Sequence, residues 1–158
     1  MKPKIGLIDE NRNEVVKILN RVLADEYVLF TKTYKYHWNV KGRRFHDLHE
    51  FFEEQYTALF QTIDNVAERV RFLGEKPIGT LQQFLSVTTL HEDQDTDVKA
   101  HDMVSNLLKD HEKMTQNLRN DLEVCSKEYN DEGTCDFVTG LMQEHEKTAW
   151  MLRASIEE

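Results

Sequence analysis

Between positions 45 and 73, Phe45, Leu48, Phe52, Tyr56, Leu59, Ile63, Val66, Val70 and Leu73 recur at steps of three and four. A helix advances about 100° per residue, so these side chains share one face. Only two prolines and six glycines punctuate the 158 residues, so other long elements are expected. A helix from about Asp9 to Trp38 carries Val15, Ile18, Leu19, Val22, Leu23 and Phe30 at helical spacing and stops at residues 39–42. The striped helix spans about Arg43 to Leu73, with Gly74 placed for a left-handed cap. Pro77 and Gly79 follow, then a short apolar piece over Leu81–Leu85. Two more long helices are predicted, from about Thr96 to Tyr129 and from a Thr134 cap to about Ile156. No segment alternates as a strand. The expected fold is all-α, a four-helix bundle with a short extra helix in its middle crossover, forming one domain over 1–158.

Bulk composition narrows the function. A net charge of −9 argues against a dedicated nucleic-acid binder and suits a protein that attracts cations. No run of 18 apolar residues exists and the first residues lack a leader-like stretch, so no membrane association and a cytoplasmic location are expected. Cys125 and Cys135 stand ten apart without a CxxC pattern and read as free thiols.

A polar ribbon borders the stripe on the second helix. With His49 at zero, Glu53 falls at about 40°, Asp64 at about 60° and Glu68 at about 100°. His49/Glu53 and Asp64/Glu68 are each i,i+4 pairs that can reach one ion. The pairs are separated by roughly 22 Å along the axis, whereas metal–ligand bonds are about 2 Å. One chain therefore cannot close one site with both pairs, and an antiparallel two-fold copy can. Acidic residues at helix edges ordinarily face water, and geometry alone leaves that reading open as well.

The run Tyr36, His37, Trp38, Asn39, Val40, Lys41, Gly42, then Leu48, His49, Glu50, Phe52, Glu53, Glu54, then Asp64, Ala67, Glu68, Arg69, Val70 resembles the Dps family (DNA-binding proteins from starved cells) of mini-ferritins. The resemblance spans nearly the whole chain, including Trp150, Met151 and Leu152. It implies a hollow homo-dodecamer built from two-fold dimers, with an inter-subunit ferroxidase centre for Fe(II)/Fe(III). His37, His49 and Glu53 would come from one subunit, Asp64 and Glu68 from its mate. Relatives often carry Asp where Glu53 stands. Trp38 resembles the family's tryptophan near the centre, either an electron donor or an interface anchor. Asp131 and Asp136, with Glu132, match a region that lines a three-fold iron-entry pore, although Gly140 stands where some relatives have another acid.

The implied activity is a ferroxidase that oxidises Fe(II) with hydrogen peroxide, or more slowly dioxygen. It would store the Fe(III) mineral in the shell and protect against oxidative stress. An ordinary ferritin or di-iron oxygenase is disfavoured, because none of the seven histidines has a Glu three positions before it. The competing reading is a DNA-binding, nucleoid-protecting protein with iron oxidation secondary. Only Lys2 and Lys4 precede the first helix and Glu157 and Glu158 end the chain, so DNA binding is expected to be weak or absent. A third reading is a two-fold catalytic metal protein that forms no mineral. Asp93, Asp97 and His101, with His91, His111 and His145, are either an accessory metal site or histidines on polar surfaces.

Overall fold

A computed structural model describes residues 3–156; Lys2, Glu157 and Glu158, part of the tail reading, lie outside the described residues. The helices are α1 (Asp9–Asn39), α2 (Phe45–Phe72), α3 (Leu81–Val87), α4 (Ala100–Lys127) and α5 (Glu132–Ile156), with no strand among the described residues. The bundle is two closely packed pairs, α1 with α2 and α4 with α5, and α3 lies in the crossover against α1.

The stripe on α2 buries Leu48, Phe52, Leu59, Val66 and Val70, while Tyr56 and Ile63 are half-buried and Phe45 is exposed. Two apolar clusters fill the bundle. One joins Leu19, Val22 and Leu23 to Val66, Leu118 and Val138; the other joins Leu29 and Tyr36 to Phe52, Leu107 and Leu152. Between them on α1 and α5 sit Glu26 and His145, both buried.

Helix ends follow side-chain chemistry. Gly74 adopts φ +87° past α2, and a Cβ there would stand 2.5 Å from Pro3 Cδ, so glycine is required twice over. Thr80 and Gln83 form a reciprocal capping box on α3. α4 begins at Ala100, four residues after the predicted start. The residues before it form Asx turns instead: Asp93 Oδ1 accepts from the Asp95 amide, and Asp95 Oδ1 from that of Asp97. α5 begins two residues before Thr134, and Asp131 rather than Thr134 caps it. Asp131 Oδ1 accepts the Thr134 amide at 2.9 Å, and the Thr134 hydroxyl donates to Oδ2 at 2.6 Å.

The crossover is tied to α1 by Asp25, a fully buried carboxylate that accepts from the Thr88 hydroxyl and from both the amide and hydroxyl of Thr89. Cys125 is buried and Cys135 half-buried, both free thiols. Burial, with Asp121 and Asp131 nearby, pushes the Cys125 thiol up to about 12 from an ordinary 9.0. A raised folded-state value keeps the proton on, so its stabilising effect is complete below pH 9 and is lost as pH rises toward 12. At pH 8 the thiolate fraction is therefore about 1000-fold lower than in the unfolded chain. Native Cys125 is expected to alkylate far more slowly than in denaturant, as mass spectrometry of iodoacetamide-treated protein would read.

Candidate metal centre

The last turn of α1 and the first turns of α2 bring His37 against His49. Their rings stack with centroids 3.8 Å apart. Each ring's Nδ1 lies 2.9 Å from the other residue's backbone carbonyl, His37 to His49 O and His49 to His37 O. A carbonyl can only accept, so both Nδ1 atoms carry the proton and both Nε2 atoms keep a free lone pair. This is the tautomer a metal ligand needs, fixed before any ion arrives. Glu53, one turn after His49 on α2, completes the group: ligand atoms of all three residues lie within 4.8 Å of one another. Among the described residues no other trio of His, Cys, Asp or Glu meets that condition.

Burial grades outward across this group, from buried His37 through half-buried His49 to exposed Glu53. The open side faces away from the bundle. Asp64 and Glu68 are exposed on the same helix, about three and four turns beyond Glu53 and outside the trio. Phe60 is 65% exposed between the two pairs. Trp38 is also exposed and packs on Tyr34 with centroids 4.2 Å apart. Tyr34 meets Tyr56 at 4.4 Å, and Tyr56 meets the His37 ring edge-on at 5.1 Å. An unbroken aromatic path thus joins Trp38 to the histidines.

Three residues that could hold a metal ion thus meet within this chain, with two acids of the same helix standing apart from them. A ferritin-like domain family matches residues 16–158, nearly the whole chain. The chain is 40% identical to DNA protection during starvation protein 2 of Bacillus anthracis over 145 residues, 92% of this chain and 98% of that one. The chain belongs to the Dps family. It is also 50% identical over 153 residues to a low temperature-induced protein of Nostoc, covering 97% of this chain and 86% of the relative. Two crystal structures share the Dps fold closely. That of Bacillus brevis Dps superposes with TM-score 0.90 at 35% identity, covering 96% of this chain and all of that one. That of Vibrio cholerae Dps, described as a ferritin-like diiron-carboxylate protein, gives 0.92 at 32%, covering 99% and 98%.

The other residues singled out in the sequence are placed as follows. Asp131 is buried, its carboxylate occupied by the α5 cap and by Arg69 at 3.3 Å, whereas Glu132 and Asp136 are exposed. Asp97 pairs with Lys41 at 2.7 Å, His101 lies beside Asp102, and Asp93 accepts from Tyr36. His91 is exposed. His111 and His145 are not surface residues: both are buried and bonded to each other. Sequence reasoning passed over Glu26 and Gln55, each buried in the apolar register of its helix. The signal was available, since Glu26 follows Leu19, Val22 and Leu23 at helical spacing and Gln55 falls between Phe52 and Leu59.

Proposed function

We propose that this Dps-family protein is a ferroxidase and iron store whose centres close between subunits, with Fe(II) and peroxide as substrates. The observation that carries the reading is the pair of pre-set Nε2 lone pairs on His37 and His49, beside Glu53. Imidazole nitrogens hold Fe(II), and carboxylates favour Fe(III) as it forms. Glu53 supplies one carboxylate; Asp64 of the partner subunit and Glu68 of the partner subunit supply the rest. In an antiparallel pairing that sets residue 49 opposite 68 and 53 opposite 64, the two-fold axis passes near residues 58–59. Exposed Phe60 then lies beside the axis, where its apolar surface is covered by the second copy.

Hydrogen peroxide takes one electron from each of two Fe(II). The O–O bond breaks, two protons are consumed, and two waters and two Fe(III) result. Taking both electrons in one event avoids the one-electron step that frees a hydroxyl radical, which links storage to oxidative protection. On this reading Trp38, in ring contact through Tyr34 and Tyr56, would give up an electron when only one iron is present. Its exposed ring also suits it to anchor the interface. The remaining features of the reading are a dodecameric shell, a single domain and a cytoplasmic setting. Entry funnels would be edged by Asp136 and Glu132, with Asp131 buried behind them as the cap.

The deciding experiment is anaerobic Fe(II) loading followed by peroxide, comparing wild type with a His49→Ala/Asp64→Ala double variant. The variant should oxidise iron at least about tenfold more slowly, since even changes to groups behind metal ligands cost ~10–100-fold. Equal rates would sink the reading. The names of relatives such as the Bacillus anthracis protein favour DNA protection as a second reading. The net charge of −9 speaks against direct binding. In a gel shift at about 0.15 M salt the assembled protein should leave duplex DNA free; a persistent complex would restore the DNA-binding reading.

A further inference from the structure

In the middle of the bundle each of the four long helices contributes a buried polar residue to one group: Glu26 from α1, Gln55 from α2, His111 from α4 and His145 from α5. All are at least nine-tenths buried, at 0%, 7%, 2% and 4% exposure. His145 Nε2 donates to Glu26 Oε1 at 2.8 Å, and the two histidines face each other Nδ1 to Nδ1 at 2.9 Å. Four polar atoms of this group have no hydrogen-bond partner among the described residues: Glu26 Oε2, His111 Nε2, and both amide atoms of Gln55. Leaving a buried polar atom unsatisfied is costly, because its hydration is lost with nothing in return. Four in one place are hard to explain as packing, since Leu or Met would fill the same volume at no such cost.

We propose that Gln55, His111 and His145 form a second, intrachain site for one divalent first-row transition ion, separate from the centre at His37 and His49. The arrangement has the layered build of a metal site. A ligating histidine typically donates its other ring N–H to a carboxylate, which fixes its tautomer; Glu26 does this for His145 and leaves Nδ1 with its lone pair. The spacing of the two Nδ1 atoms is informative. Two nitrogens at about 2.05 Å from one ion and at a right angle stand about 2.9 Å apart, against about 3.3 Å for tetrahedral ligands. The observed 2.9 Å equals the right-angled, octahedral spacing, so the two nitrogens need not move apart and the rings only turn their lone pairs from each other toward the ion.

In the empty site one proton bridges the two Nδ1 atoms; on metal binding it shifts to His111 Nε2, which has no other partner. Burial, with His145 beside it, holds His111 in the neutral form an ion needs. Gln55 supplies an amide oxygen as third donor, since it lines the same pocket as both histidines. That pocket, of about 270 Å³, opens between α2 and α5 past Ala58, Thr62 and Thr148, giving an entry path and room for water on the remaining positions. Two imidazoles and an amide oxygen select Co(II), Ni(II), Zn(II) or Fe(II) over Mg(II) or Ca(II), which prefer all-oxygen shells.

Co(II) alone is a suitable probe on the assembled, full-length protein. Anomalous scattering from Co(II)-soaked crystals should show a peak about 2.0–2.3 Å from both Nδ1 atoms. Equilibrium dialysis should give one Co(II) per chain fewer for His111→Leu than for wild type. Glu26→Gln should keep the site but weaken it about 10–100-fold. Gln55→Leu should weaken it too, while raising the melting temperature of the metal-free protein because two orphaned atoms are gone. No core peak at a Co(II) concentration that fills the His37 and His49 centre would overturn the proposal, as would equal stoichiometry in wild type and His111→Leu. Should His111→Leu fail to assemble, the wild-type crystal alone decides.

Discussion

Co-expressing His49→Ala subunits with Asp64→Ala subunits in equal amounts is expected to restore about a quarter of wild-type peroxide-driven iron oxidation, although each variant alone is inactive. Random pairing makes half the dimers mixed. In a mixed dimer one centre receives both altered residues and the other receives neither, so one of its two centres works. A site contained within one chain predicts no recovery, because every chain carries a lesion. Stopped-flow absorbance of ferric product, set against the two parent variants, separates the outcomes. The double-variant experiment asks whether these residues matter; this one asks whether they act across the interface. Recovery near zero, with mixed oligomers verified by mass spectrometry, would overturn a centre shared between subunits.

The second large effect is expected in the bundle interior. His145 and Glu26 form a buried pair whose side chains are 5% and 0% exposed. Removing one partner strands the other away from water, which typically costs ~3–5 kcal/mol. At ~2–4 °C per kcal/mol for a chain of this size, His145→Ala should melt about 6–20 °C lower than wild type in calorimetry of metal-free protein. Replacing Glu26, His111 and His145 together by Leu should restore or exceed wild-type stability, because a well-packed apolar core commonly matches a buried polar network. A His145→Ala protein that melts within about 2 °C of wild type would show that water reaches the pair, and the burial argument would fail.

Much of the fold was legible because it depends on periodicity. The α2 stripe, the Gly74 stop and the short α3 follow from spacing and turn chemistry, and the structure places each within a few residues of expectation. The errors arise where a side chain competes with the backbone. The α4 start is delayed because the Asp93 and Asp95 carboxylates capture amides in Asx turns, and the α5 cap falls to Asp131 because it stands just before the first turn, three residues ahead of the Thr134 amide it accepts. The trio of His37, His49 and Glu53 was legible as a motif and is brought together by the α1–α2 turn. The interior layer was not. Glu26 and His145 meet across 119 positions of sequence, and His111 and His145 across 34. Spacing marks each as core-facing but does not say that one polar residue will meet another.

The crossed clasp between His37 and His49, ring to carbonyl in both directions, has a thermodynamic consequence. On the proposed reading it gives every lone subunit a preset pair of metal-binding nitrogens, and the remaining ligands would arrive only with a mate. Iron affinity and dimer affinity then belong to one linked equilibrium. Whatever factor pairing adds to the grip on Fe(II), Fe(II) must add to the grip between subunits. Scarce iron would leave the two-fold contact at its weakest and abundant iron would tighten it, so the shell's cargo would also act as one of its fasteners.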